Sequence, residues 1–212
     1  EAAFTEGTGL VLFTDTFPQA ISTGSGAENF YHLALYKPDT AVLLSSEVIV
    51  KNQLSMTQGN IDASTNLLTL GENATSVGTL VYTKGFVFGQ MRRYFASGTN
   101  SGLASSLFPM GVLDTTQKAR FLTAEFTSAP TIGGHLTTQF VPTSMGTAGL
   151  PILAVSTGGA GFDVKYTSRD GYWQVDNQNL SDGNYTLTCV GQGMIVDQLT
   201  NLTLLKRVGA GN

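Results

Sequence analysis

Few residues in this sequence could do acid–base or metal chemistry, and they lie far apart. The chain has two histidines, His32 and His135, separated by about a hundred residues. An imidazole titrates near neutral pH and is the commonest metal ligand, but a catalytic or metal site needs further polar partners close by. Neither histidine has a carboxylate at ligand spacing beside it. We therefore expect both to be solvated or locally hydrogen-bonded rather than catalytic.

The densest acidic group is Asp170, Asp176 and Asp182. The segments Asp176–Asn179 and Ser181–Asn184 together make an oxygen-rich loop, and Ca²⁺ is a hard cation that prefers oxygen ligands. The spacing does not match the EF-hand loop. A plain turn is the preferred interpretation, with calcium binding as the alternative.

Motifs for nucleophilic or phosphate chemistry are missing. The Gly-x-Ser-x-Gly elbow and the His-Glu-x-x-His zinc pattern do not occur. Ser156–Gly161 is rich in glycine, but the strand-like Phe162–Tyr166 follows it instead of the helix that a phosphate loop requires. Cys189, the single cysteine, alternates in phase with Leu187, which predicts a small buried hydrophobe. The sequence thus predicts a non-catalytic protein without cofactor or metal.

The composition favours β-structure and an uncharged surface. Charged residues make up 12% of the chain, about half the usual ~25%, while 28 Thr and 25 Gly favour pleated strands and turns. The eleven Lys and Arg are scattered and the net charge is −4, which argues against nucleic acid as a partner. No apolar run approaches the ~20 residues of a transmembrane segment.

Two different spacings of apolar residues predict two modules. Between about residues 20 and 95, short apolar stretches return roughly every 15 to 20 residues without Asn-Gly or Asp-Gly turns, which favours a parallel β-solenoid. Residues 1–104 are therefore expected to form a β-solenoid-like module.

From residue 105 onward, alternating strands and turn pairs at Asp170-Gly171 and Asp182-Gly183 predict an antiparallel, Ig-like β-sandwich over 105–212. Trp173 is expected in its core. Strands are expected at Arg120–Phe126, His135–Val141, Phe162–Tyr166, Tyr172–Val175, Tyr185–Val190 and Leu199–Leu205.

Several motifs are distinctive: Leu54–Ile61, Asn66–Gly71, Gly85–Gly89, Met91–Phe95 and Leu107–Gly111. Together they resemble a β-rich segment of very large secreted surface proteins of Bacteroidota, often exported by the type IX system and including gliding-motility adhesins. The resemblance extends over nearly the whole chain. It implies surface display and attachment, and it brings no catalytic residues.

The resemblance also suggests modification sites. Bacteroidota glycosylate Ser or Thr after Asp, and Asp39-Thr40-Ala41 and Asp114-Thr115-Thr116 are similar to such sites. Thr40 and Thr115 are thus candidate glycosylation sites.

We expect a non-catalytic structural or adhesive module of a secreted bacterial cell-surface protein, located outside the cell, which can assemble into an extracellular filament. Its partners would be other copies, neighbouring domains of the same protein, or surface glycans. The alternative is a carbohydrate-binding module of a secreted polysaccharide-active protein, which would need exposed aromatic side chains or a bound Ca²⁺ near Trp173.

Overall fold

The chain consists of β-strands joined by turns and loops wherever the computed structural model describes it, which is over residues 7–99, 106–113, 117–155, 161–194 and 205–206. Fifteen strands and no α-helix occur in these ranges, so the all-β prediction is confirmed. No helix that could cross a membrane is therefore found in the described residues.

Six strands form a parallel β-solenoid of about four turns, which confirms the prediction for the first half. In chain order they are β1 (Leu10–Thr14), β2 (Gln19–Ile21), β3 (Glu28–Leu44), β4 (Val48–Leu70), β5 (Thr79–Tyr82) and β6 (Val87–Phe95). All pairings within this set are parallel: β3 pairs with β1, β2 and β4, and β4 also pairs with β5 and β6.

The coils are held in register by apolar side chains that stack on the inside. Leu33 and Leu35 of β3 lie level with Leu54 and Met56 of β4, and all four are almost completely buried. Burying a side chain of this size contributes about 1.5–3 kcal/mol each. Including β1 and β5, the two ladders are Val11–Leu33–Leu54–Leu80 and Phe13–Leu35–Met56–Tyr82.

Strands β3 and β4 are long because each continues around a corner of the coil. The pairing between them shifts between Tyr36 and Ala41, where β3 bends. In β4 the bend falls at Gly59, whose φ of 106° is a conformation that side chains with a Cβ rarely adopt. The next coil bends at Gly85, with a φ of 117°. A Cβ on Gly85 would collide with the carbonyl oxygen of Gly59.

Nine further strands follow the solenoid. They are β7 (Leu107–Phe108), β8 (Gly111–Val112), β9 (Lys118–Ala119), β10 (Leu122–Ser128), β11 (Gly134–Val141), β12 (Ile152–Val155), β13 (Gly161–Val164), β14 (Tyr172–Gln178) and β15 (Asn184–Cys189). β10 pairs antiparallel with β15 and β7, β12 with β13, and β8 with β9.

The Ig-like sandwich predicted for the second half is not confirmed. β11 pairs antiparallel with β6, and β14 lies beside β11, so both strands extend the solenoid's own sheet in the order β1-β3-β4-β6-β11-β14. The alternation of apolar and polar residues predicts where the strands lie, but it does not determine which strands pair with each other. The predicted strand Leu199–Leu205 lies almost entirely outside the described residues.

The chain divides into two compact units, while the predicted modules 1–104 and 105–212 stay a prediction. One unit combines the chain up to Phe140 with Trp173–Gln192, and the other combines Val141–Tyr172 with the residues from Gly193 onward. The first unit thus contains both the solenoid and the antiparallel strands β10 and β15.

We expect Gly85→Ala to lower the free energy of unfolding by at least about 2 kcal/mol, because it adds backbone strain to a collision with the corner below. Urea unfolding measures this change. Gly98→Ala is the matched control, since Gly98 also has a positive φ of 74° but no atom within 4 Å of the added Cβ. Equal losses for the two variants would contradict the stacking of the corners.

Candidate functional site

The two histidines do not share a site. His32 lies on β3, where its Nε2 is 3.5 Å from Asn52 Nδ2, and His135 lies on β11. Strands β4 and β6 separate β3 from β11 in the sheet. Among the described residues, no group of three or more His, Cys, Asp or Glu side chains is arranged to hold a metal ion.

His135 is nevertheless in an unusual environment. It is only 7% exposed, and its ring packs edge-on against Tyr94 with the centroids 5.1 Å apart. Burial, together with the positive charge of Arg92, lowers its pKa below the ordinary value, while Asp176 and a side-chain hydrogen bond with Gln178 act in the opposite direction. The neutral imidazole is thus the form that the fold accommodates.

Asp170, Asp176 and Asp182 make different hydrogen bonds, and only Asp176 and Asp182 belong to the oxygen-rich loop. Asp176 Oδ2 accepts a hydrogen bond of 3.1 Å from Gln178, and Asp182 Oδ2 accepts one of 2.6 Å from Thr131. The Asp170 backbone amide donates to the Ser168 hydroxyl. Asp182 also has a φ of 59°, as is common for Asp in a tight turn. These contacts favour the plain-turn interpretation of this segment.

Trp173 is a packing residue, as predicted. Its indole N–H donates to the Arg120 carbonyl at 2.9 Å, and its ring meets Phe140 edge-on at 5.1 Å. The Arg120 guanidinium lies 4.9 Å from the centre of the same Phe140 ring. Trp173 is thus partly buried against the core, with its indole N–H hydrogen-bonded.

Cys189 also packs against the core, from the end of β15. Burial raises the pKa of its thiol above the ordinary value, so the protonated, unreactive form predominates at neutral pH. Cys189 is partly buried rather than fully buried as predicted, and it packs against the core.

The two candidate glycosylation sites stay predictions. Thr40 lies in β3, where its Oγ1 is buried without a hydrogen-bond partner among the described residues. In this conformation the hydroxyl is not presented for modification. Thr115 lies outside the described residues, as do Ser156–Ala160 of the glycine-rich segment.

A buried lysine is the feature that the sequence did not reveal. Lys37, at the corner of β3, is fully buried. Its ammonium donates to the carbonyl oxygens of Thr14 (3.3 Å), Asp15 (3.2 Å) and Phe17 (2.7 Å) and to Gln19 Oε1 (2.7 Å). All four acceptors are neutral, and together they replace the hydration that the charge loses on burial.

Lys37 thereby anchors the first coil. The carbonyls that it binds lie at the end of β1 and in the loop that leads to β2, so the ammonium joins this loop to the corner of the next coil. A Lys-Pro pair between strands is typical of an exposed turn, and lysine is almost never fully buried. Neither residue type nor spacing therefore indicates this role.

The first coil leaves its inward side chains only partly buried. β1 pairs with β3, and no other described strand lies along its opposite edge. Its inward side chains Val11 and Phe13 are only partly buried, whereas Leu33 and Leu35, one coil further, are 1% exposed. Beside β1, Phe17 is 70% exposed. Among the strands that the structure describes, none pairs with this apolar edge, and we regard it as the candidate functional site.

The chain was also compared with known proteins. No protein-family model, curated protein or solved structure matches it. The relation to type IX-exported surface proteins of Bacteroidota therefore stays a prediction from the sequence motifs.

We expect Lys37→Met to lower the free energy of unfolding by at least about 2 kcal/mol, because buried carbonyls lose their charged donor while the volume is kept. Hydrogen exchange should show the largest loss of protection in Leu10–Thr14. The exposed Lys84 provides the control Lys84→Met, for which little change is expected. Unchanged protection of β1 in Lys37→Met would disprove the anchoring role.

The lowered pKa of His135 predicts a pH dependence of stability. The unfolded chain, with a histidine pKa of about 6.5, binds a proton more readily than the fold does, so stability is complete above that pH and falls as the pH drops below it. The free energy of unfolding should change with pH by at most about 1.4 kcal/mol per pH unit. Urea unfolding between pH 7.5 and about 5.5 should show this slope in the wild type and in His32→Gln. It should be reduced in His135→Gln, and a slope unaffected by that change would refute the assignment.

Proposed function

We propose that this chain is a non-catalytic structural or adhesive module of a secreted bacterial cell-surface protein. The observation that carries the proposal is the parallel solenoid, with a continuous apolar interior and an exposed first coil. Each coil is fastened to its neighbours along its length, so such a stack resists bending and acts as a stiff spacer. An enzyme of this fold would need a group of catalytic side chains on one face.

The surface chemistry supports an extracellular location. Only 12% of the residues are charged, and the exposed strand positions carry mostly threonine, serine, asparagine, glutamine and single apolar residues. The motifs from Leu54 to Gly111 that resemble secreted Bacteroidota proteins support the same conclusion. Other copies, neighbouring domains and surface glycans are the proposed partners.

Antibodies raised against the purified chain test this proposal. We expect them to label intact, unpermeabilised cells of the source organism, and we expect external protease to abolish the labelling. Deleting the coding segment should reduce attachment to a glycan-coated surface without changing growth. An antibody against a cytoplasmic protein, run in parallel, controls for cell lysis. Labelling that appears only after permeabilisation would refute the proposed location.

A further inference from the structure

One wall of the solenoid is a four-stranded parallel sheet with two edges. Its strands follow in the order β1-β3-β4-β5, and β5 pairs only with β4 among the described strands. The two edge strands are similar in length, with five residues in β1 and four in β5. A sheet with edge strands presents unpaired N–H and C=O groups on both sides.

The two edges carry matching side chains. On the inner side, Val11 and Phe13 of β1 and Leu80 and Tyr82 of β5 occupy equivalent steps of the two apolar ladders, and all four are only partly buried. The two inner rows between them, on β3 and β4, are almost completely buried. Among the described residues, no strand pairs with the far edge of either strand, although on the β5 side the ring of Phe121 packs against Tyr82 with the centroids 5.8 Å apart.

Neither edge carries the features that usually prevent association. Exposed edge strands are normally protected by charged residues, proline or a bulge. β1 has the sequence Leu-Val-Leu-Phe-Thr and β5 has Thr-Leu-Val-Tyr, with no charge and no proline. Their outward side chains include Leu10 (61% exposed), Leu12 (53%) and Val81 (47%). Both edges can therefore accept another strand.

We propose that copies of this chain associate head to tail, with β5 of one copy pairing in parallel with β1 of the next. Continuing the observed register places Leu80 beside Val11 and Tyr82 beside Phe13. This contact joins two different surfaces of the same chain, so it leaves a free edge at each end and propagates into a filament. The inference rests on the proposed function, since it specifies how a structural module would assemble.

A second copy is the occupant that the geometry favours. A strand that continues the parallel order of this wall runs parallel to β1 and brings two apolar side chains, two residues apart, to the same height as Val11 and Phe13. β5 meets both requirements, because the same wall already stacks its side chains in the same register through β3 and β4. A symmetric β1–β1 pair would be antiparallel and would close at the dimer.

Disulfide trapping tests the contact directly. In a Cys189→Ser background, Leu12→Cys and Val81→Cys introduce thiols at outward positions that would face each other between copies. Within one chain, β3 and β4 separate the two positions, and at ~4.8 Å per strand they lie too far apart to bond. Mild oxidation of the double variant should give a ladder of dimers, trimers and higher oligomers on a non-reducing gel.

Two controls define the result. Leu12→Cys with Leu43→Cys places the second thiol on a different wall, at a side chain of similar exposure (41%), and should give no ladder. Leu12→Cys alone should stay monomeric. A ladder in the Leu12/Val81 variant alone supports the proposal, whereas dimers from Leu12→Cys alone indicate a β1–β1 contact and overturn it. No cross-linking in any variant, with circular dichroism showing the native fold, also overturns it.

A charge at the edge gives an independent readout without cysteine. Leu12 is exposed, so Leu12→Lys should leave the fold intact and lower the mass of the wild-type assemblies at least tenfold in light scattering. Assemblies unchanged by this substitution would count against the β1 edge. A negative result in the cross-linking or in the light-scattering experiment would not change the surface labelling of cells. The head-to-tail contact can therefore be rejected while the proposed function stands.

Discussion

The solenoid depends on the stacking of apolar side chains at the same height in successive coils. Backbone hydrogen bonds hold neighbouring strands ~4.8 Å apart, but they can form in more than one register. A slip of one residue would turn Leu33 and Leu35 of β3 outward and bring polar neighbours inside. Since Leu54 and Met56 stack directly on this pair, the burial of one coil fixes the register of the next. The fold is therefore specified by a repeated contact between nearest coils.

The buried polar residues follow from this stacking. Where a coil turns a corner, backbone groups leave the strand ladder and need other partners. Asn60 supplies one of them, since its Oδ1 accepts from the Phe86 amide at 2.8 Å, while its Nδ2 donates to the side-chain oxygen of Gln117 at 3.0 Å. Lys37 does the same for three carbonyls of the first loop. Gly59 and Gly85 lie at the same corners because a Cβ there would meet the adjacent coil.

The sequence predicted the kind of repeat better than the partners of its strands. The spacing of apolar stretches and the lack of hairpin turns indicated parallel coils, and these are observed. Strand β3 continues through Lys37-Pro38, a pair that is typical of a turn. The Ig-like sandwich is not confirmed, because alternation gives the inward face of β11 but not that it pairs with β6. Away from the candidate site, the packing of Trp173 against the core was predicted, while the burial of Lys37, beside the candidate site, was not.

The two ends of the solenoid differ in a way that bears on what the protein can do. At β6 the parallel order of the strands stops, because β11 pairs antiparallel with β6. The far edge of β11 therefore no longer continues the apolar ladders of the coils. At β1 the order of the described strands simply ends, with half-buried Val11 and Phe13 and an anchored loop beside them. In a spacer that acts as a single copy, a lysine or proline in β1 would protect the edge from association and so improve solubility. Here the β1 edge is uncharged, and the fully buried Lys37 holds the loop beside it. This arrangement favours a surface that is presented in one conformation, as an assembly contact requires.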